Sequence, residues 1–169
     1  MPTTATATNN THFGAIIGFR QGQEGVEFLV IDYDDPEKGL QCKLPGGMGA
    51  PGETPARTAQ REYLEETGLE NISGYGPVWK IQLKDGHRKL FFASHCDPKQ
   101  WIGELRKEAK SDGAETLSPP YWLSSKRALT ELHHYHRMAL KGSLPVMADH
   151  DPIFREMALK DPTLAPLLR

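Results

Sequence analysis

Apolar and polar positions organise the chain into short strands around one central helix. "HFGAIIGF" (His12 to Phe19) is apolar enough for a strand, "QGQEG" supplies turn chemistry, and "VEFLVIDY" (Val26 to Tyr33) alternates as a half-buried strand does. These two predict an antiparallel pair. "LQCKL" reads as a short strand ending at Pro45, and the four glycines and one proline between Gly46 and Gly52 predict irregular backbone. Thr54 before Pro55, with Gly68 as a stop, brackets a helix over Pro55 to Thr67.

Beyond the helix, "ISGYGPVWKIQL" and "RKLFFASHC" read as strands joined by "KDGH", whose Asp-Gly suits a tight primed turn. Asp97 to Pro120 is polar and irregular, with a short helix expected around Trp101 to Lys110. "YWL" is a last strand. Ser124 or Ser125 then caps a helix through "KRALTELHHYHRMAL" to Gly142, and "DPIFREMALKD" predicts one more short helix. The fold class expected is α/β, a sandwich. Its parts are a disordered leader over 1–11, a domain over 12–142, and a helical extension over 143–169 packed on the same domain.

Composition narrows the field. At 169 residues the chain fits one domain, and 22 acidic against 20 basic residues argue for neither a nucleic-acid tail nor a membrane-surface protein. No apolar run approaches the ~20 residues that span a bilayer, and "MPTTATATNNT" lacks the features of a signal peptide. Cys42 and Cys96 form no CxxC motif and read as two buried or half-buried thiols. A soluble protein of a reducing cytoplasm is expected.

The chemistry lies in the helix. Positions i, i+3 and i+4 share a face, so Glu62, Glu65 and Glu66 project as one acidic strip beside the small, apolar arc of Ala56, Ala59, Tyr63 and Thr67. Like charges at i,i+4 disfavour a helix, and anions near its C-terminus disfavour it further. Two readings are open: a solvated acidic face, or a site for a hard divalent cation such as Mg²⁺. Gly46, Gly47, Gly49 and Gly52 just before the helix offer backbone groups to an ion or a phosphate. No Gly-Lys-Ser/Thr follows them, so this is not a Walker A loop.

Gly47, five residues, Glu53, seven residues, then "REYLEETGL" from Arg61 to Leu69 resembles the Nudix box, G-x5-E-x7-R-E-U-x-E-E-x-G-U with U aliphatic. Every charged and glycine position matches; Tyr63 departs from the first U and should still pack inward. The resemblance implies an αβα sandwich with a mixed sheet and a central catalytic loop–helix–loop. It also implies Mg²⁺-dependent hydrolysis, with Mn²⁺ as a substitute, of a diphosphate linkage in a nucleoside diphosphate derivative. A nucleoside triphosphate or nucleotide sugar is the expected substrate, since by length the chain resembles the compact hydrolases of these; the "KDG" segment carries neither the proline typical of ADP-ribose hydrolases nor the tyrosine typical of dinucleoside polyphosphate hydrolases.

By position in the box, Glu62 and Glu66 would be the principal metal ligands, with Glu65 assisting and the Gly47 carbonyl completing the shell. Glu65 or Glu66 is the expected general base, and Arg61 would pair with Glu53 to brace the loop. Glu115 is the candidate for a further acidic ligand, with Asp112 and Glu104 as rivals. Arg20, Lys43, Arg88 and Lys89 lie near the flanking strands and are the candidate phosphate contacts. "HHYHR" (His133 to Arg137) is a weak zinc signal and reads as a solvated or partly packed helix face. No basic stripe supports a nucleic-acid partner, and a homodimer is compatible with the sequence. The alternative is a catalytically silent Nudix-fold module that binds a nucleotide without turning it over.

Overall fold

The computed structural model describes residues 12–70 and 73–168. The leader expected over 1–11 lies outside the described residues, as does residue 72 at the start of the segment expected to form a strand after the helix.

In chain order the elements are β1 (His12–Gln21), β2 (Val26–Asp35), β3 (Gly39–Lys43), β4 (Gly46–Met48), α1 (Pro55–Thr67), β5 (Leu69–Glu70), β6 (Tyr75–Gln82) and β7 (Arg88–His95). There follow β8 (Ile102–Gly103), β9 (Lys110–Asp112), β10 (Glu115–Leu117), β11 (Tyr121–Ser124), α2 (Ser125–Glu131), α3 (His134–His150) and α4 (Pro152–Leu159). The main sheet runs β6-β7-β1-β2-β10-β9, with β3 and β11 also on β2 and β4 on β1. β1 pairs in parallel with β7 from His12–Arg88 to Phe19–His95, and antiparallel with β2 and β4. The sheet is therefore mixed.

Side-chain alternation sorts the core into two layers. Ala15, Ile17 and Phe19 of β1, with Val26, Phe28 and Val30 of β2, face Leu140, Leu144, Met147 and Phe154 of the late helices. Ile16, Leu29, Leu90 and Phe92 face α1 through Ala59 and Tyr63. This is an α/β sandwich in which, among the described residues, α1 is the one α-helix on that face. α1 sits so close that a Cβ on Gly14 would fall 2.8 Å from the Pro55 carbonyl oxygen. Tyr63, the departure from an aliphatic position, is buried there with its hydroxyl 3.1 Å from Cys96 Sγ. Gly18 leaves the room: a Cβ on it would lie 3.0 Å from the Tyr63 oxygen.

Four sequence expectations change. Gly46–Met48 is a strand rather than irregular backbone, because glycine lets it lie against β1; a Cβ on Gly46 would lie 2.6 Å from Gly14 O. No helix forms over residues 101–110, which a single 3₁₀ turn over Pro98–Gln100 precedes. There the chain runs extended past the end of α1, held by Arg106, and then turns as the β9–β10 hairpin. The "KDGH" connection is a three-residue loop with Gly86 at φ 90, closed by Gly86 N–H to Leu83 O and Leu83 N–H to His87 O. Asp85 takes the His87 N–H, so one glycine in the left-handed region suffices.

The long helix expected to end at Gly142 is two helices. The break falls at Leu132 and His133, where the His133 N–H bonds Cys42 O at 2.8 Å. α3 then continues past Gly142 because that glycine is a packing position: a Cβ on it would lie 2.6 Å from Trp79 Cη2. The C-terminal segment is tied down by Asp161, 2 % exposed. Its carboxylate accepts from Val26 N–H (2.9 Å), Ser125 Oγ–H (2.8 Å), Thr163 N–H (2.8 Å) and Leu164 N–H (3.1 Å).

Candidate active site

Local chemistry starts α1 where it does. Thr54 accepts from Arg57 N–H, Pro55 stands at the first helical position, and Gly68 ends the helix at φ 87 with its N–H on Leu64 O. The loop before the helix is braced by a carboxylate–guanidinium fork. Arg61 Nε and Nη2 donate to the two oxygens of Glu53 at 2.8 and 3.0 Å, and Nη2 also donates to Met48 O at 3.1 Å. The Thr58 hydroxyl (2.7 Å) and Ala50 N–H (3.0 Å) complete the Glu53 shell. These bonds, that to Arg61 first, hold the Glu53 carboxyl well below the usual range.

Arg61 also meets the repulsion among the glutamates. Its Nη1 donates to Glu62 Oε1 at 2.9 Å and reaches Glu65 at 3.4 Å. Two further cations serve the helix end: Lys110 Nζ donates to Glu65 O and Arg106 Nε to Glu66 O, both at 2.9 Å. The Arg106 N–H takes Thr67 O at 2.8 Å, while its Nη groups hold Glu108 O and Ser118 O. Last-turn carbonyls are thus satisfied by positive groups, which offsets the unfavourable place of the anions.

Glu62 and Glu66 face a cavity of about 350 Å³, also lined by Gly46, Gly47 and Met48 of β4, Lys43, Leu44, Phe13 and Tyr33. Asp112 and Glu115, paired across the β9–β10 hairpin, line the same cavity. Glu66 is 3 % exposed, and its Oε1 accepts from Tyr33 Oη–H at 2.6 Å and Gly46 N–H at 2.9 Å. Burial pushes its carboxyl up to about 8 against those two bonds, and burial likewise raises Glu62 against the pull of Arg61. Lys43 Nζ lies 5.2 Å from the Tyr33 ring centroid, and burial lowers its pKa.

The cavity brings together Gly47, Glu62, Glu66, Glu115 and Lys43 among the residues singled out in the sequence, with Asp112 beside them. Glu65 lies outside it, half-exposed against Arg61. Arg20 stands at the far end of β1, paired with Glu27 at 2.8 Å and lying 4.2 Å from the Trp122 ring. Arg88 is exposed at the start of β7 and does not line the cavity, nor does Glu104. Sequence reasoning missed Tyr33, Arg106 and Lys110. Of these only Tyr33 left a signal, since a buried strand tyrosine needs a partner for its hydroxyl.

The four carboxylates lining the cavity, Glu62, Glu66, Asp112 and Glu115, offer oxygen donors, which suit a hard cation. At Gly47 there is room for nothing larger than hydrogen beside the Glu62 carboxylate. Among the described residues no three His, Cys, Asp or Glu side chains converge as a ready-made metal site. In "HHYHR", His136 is 2 % exposed and packs edge-on to Phe13 and Phe91, so it belongs to the core rather than to a surface face.

The family model of the NUDIX domain matches residues 10–141. A NUDIX hydrolase from Nitrosomonas europaea is 15% identical over 79% of this chain and 88% of that one, with a TM-score of 0.55. The NUDIX domain of Shewanella oneidensis NrtR, solved in complex with ADP ribose, is 12% identical over 81% and 88%, TM-score 0.62. A mutT/nudix family protein from Listeria innocua is 19% identical over 87% and 99%, TM-score 0.60. At these identities the likeness is one of fold. A comparison with curated proteins finds no match. Among the described residues no helix is long and apolar enough to cross a membrane.

Proposed function

The chain belongs to the NUDIX family, and on that premise we propose that it is a Mg²⁺-dependent pyrophosphohydrolase of a nucleoside diphosphate derivative, a nucleoside triphosphate or a nucleotide sugar. The observation that carries this reading is the meeting of Gly47, Glu62 and Glu66 in one cavity that Asp112, Glu115 and Lys43 also line.

In this reading Glu62, Glu66 and the Gly47 carbonyl would hold the ion, and Asp112 and Glu115 of the β9–β10 hairpin would offer further oxygen donors. When bound, the ion neutralises phosphate charge and lowers the pKa of a coordinated water. Lys43 meets a phosphate oxygen, and Tyr33 with the Gly46 N–H fixes the Glu66 carboxylate. Glu66 takes the proton of the attacking water as its oxygen bonds to phosphorus and the bond to the leaving phosphate breaks. Glu65, outside the cavity, assists by sharing Arg61 with Glu53 and Glu62.

The test is product release from nucleoside triphosphates, nucleotide sugars, dinucleotides and ADP-ribose, with Mg²⁺, with EDTA, and with Glu66→Gln. Metal-dependent turnover of one class is expected, falling on the order of 10²-fold or more in the variant. Tight nucleotide binding with no metal-dependent turnover would overturn the proposal in favour of a binding module.

A further inference from the structure

Between β3 and β4 the chain leaves one strand partner for another. β3 pairs with β2 as far as Lys43, and β4 pairs with β1 from Gly46. Leu44 and Pro45 belong to neither ladder. Proline has no N–H to satisfy, and Pro45 O accepts from Ile16 N–H at 3.1 Å. The N–H of Leu44 is different: it is fully buried and has lost its strand neighbour. A buried amide without an acceptor is destabilising, because it has given up its hydrogen bond to water and gained none.

The acceptor comes from 92 residues away in sequence, where His136 Nδ1 takes the Leu44 N–H at 3.1 Å. Just before it, the His133 N–H takes Cys42 O at 2.8 Å. The start of α3 thus stands in for a missing strand, offering one donor and one acceptor to alternate residues of the crossing. An imidazole that accepts at Nδ1 carries its hydrogen at Nε2, so the Leu44 amide also fixes the tautomer. The ring is held edge-on between Phe13 at 5.6 Å and Phe91 at 5.4 Å between centroids. An apolar residue would fill that space without burying a polar ring. The imidazole is explained by its hydrogen bond.

The crossing is where the site is anchored. One residue before Leu44 is Lys43 on the cavity wall. Two residues after it is Gly46, whose N–H holds Glu66, followed by Gly47 against Glu62. We infer that His136 is a positioning residue for this site: by holding Leu44 it sets where Lys43 and the Gly46–Gly47 backbone present themselves to the ion and the diphosphate. The inference rests on the proposed hydrolytic reading of the cavity.

Three variants separate positioning from packing. His136→Leu removes the acceptor, His136→Asn places an amide oxygen near the Nδ1 position, and His136→Gln carries it beyond. Each is read by hydrogen exchange of the Leu44 amide, by the Mg²⁺ concentration giving half of the melting shift, and by kcat and KM separately. In His136→Leu we expect Leu44 exchange faster by on the order of 10²-fold. The Mg²⁺ midpoint should rise and kcat/KM should fall by about 10-fold or more, as for groups that orient metal ligands. His136→Asn should return all three most of the way, and His136→Gln should not.

A folded His136→Leu with wild-type Mg²⁺ midpoint and kcat/KM would overturn the inference and leave His136 a core side chain. Should that variant fail to fold, the comparison of Asn with Gln decides, because equal behaviour of the two overturns it equally. Nitrogen NMR of the unaltered protein adds a reading without substitution: a protonated Nδ1 would refute the contact itself. If the wild type hydrolyses nothing while exchange and Mg²⁺ midpoint still follow the residue at 136, the function is wrong and the positioning stands. If hydrolysis is present but indifferent to 136, the positioning is wrong.

Discussion

The backbone of Gly47 rests directly on the carboxylate of Glu62. A Cβ at Gly47 would lie 2.6 and 2.7 Å from the two Glu62 oxygens. The obstructing atoms are the far end of a side chain, so the chain can relieve the clash by turning Glu62 away. Gly47→Ala should therefore change stability by no more than about 1 kcal/mol. Its hydrolysis should fall on the order of 10²-fold, the usual consequence of displacing a group by about an ångström. Matched urea melts and turnover assays check this; normal turnover would mean that the place of Glu62 is immaterial.

Arg61 serves Glu53 through two nitrogens while also reaching Glu62 and Met48 O. A lysine supplies the charge but not the planar fork. Arg61→Lys should lose about 1–2 kcal/mol of stability by denaturant titration and about 10-fold or more in kcat/KM. Wild-type behaviour would show that charge alone braces the loop.

Glycine to alanine inside a helix ordinarily gains about 1 kcal/mol. Gly142 should reverse that sign, because the Trp79 ring occupies the place of the new methyl and is itself packed against the core. Gly142→Ala should cost about 1–3 kcal/mol, seen as a lower Tm. A rise in Tm would show that the indole moves freely.

Burial, with Lys43, Lys89 and His133 nearby, pushes the pKa of His136 well below its ordinary 6.5. The unfolded chain then takes up a proton below pH 6.5 that the folded state refuses. Stability present above that pH is lost as pH falls, at up to about 1.4 kcal/mol per pH unit for one proton. The raised carboxyl of Glu66 acts in the opposite sense, losing stability as pH rises from 4.5 to about 8. Comparing variants cancels that contribution. Between pH 6.5 and about 5, His136→Asn should lose stability less steeply than the wild type by about 1.4 kcal/mol per unit. Parallel slopes would mean that His136 binds its proton inside the fold.

What could be read in the sequence was what neighbours along the chain decide. Thr54, Pro55 and Gly68 bound α1 through contacts within a few residues, and helical spacing alone puts Glu62 and Glu66 on one strip. Features set by distant partners were not legible. The strand at Gly46–Met48 exists because glycine fits against β1, although the same glycines locally suggest a loop. Gly142 looks like a helix stop until Trp79, 63 positions earlier in the chain, is seen against it. Arg20 and Lys43 look alike as strand cations, yet they fall at opposite ends of the structure's chemistry: one against Trp122, the other in the cavity. Which end a strand turns toward a site is a property of the sheet, not of the strand.

The family model ends at residue 141, in the middle of α3. Beyond that point Leu144, Met147, Phe154 and Leu164 share a core with Phe19 and Phe28, and Asp161 completes the hydrogen bonding of Val26 where β2 begins. A cut placed at the family boundary would sever a helix, uncover part of one face of the sheet and leave a buried amide open. The stretch that the family model matches and the stretch whose side chains complete the core are therefore different lengths. Any excised version should be drawn by the second.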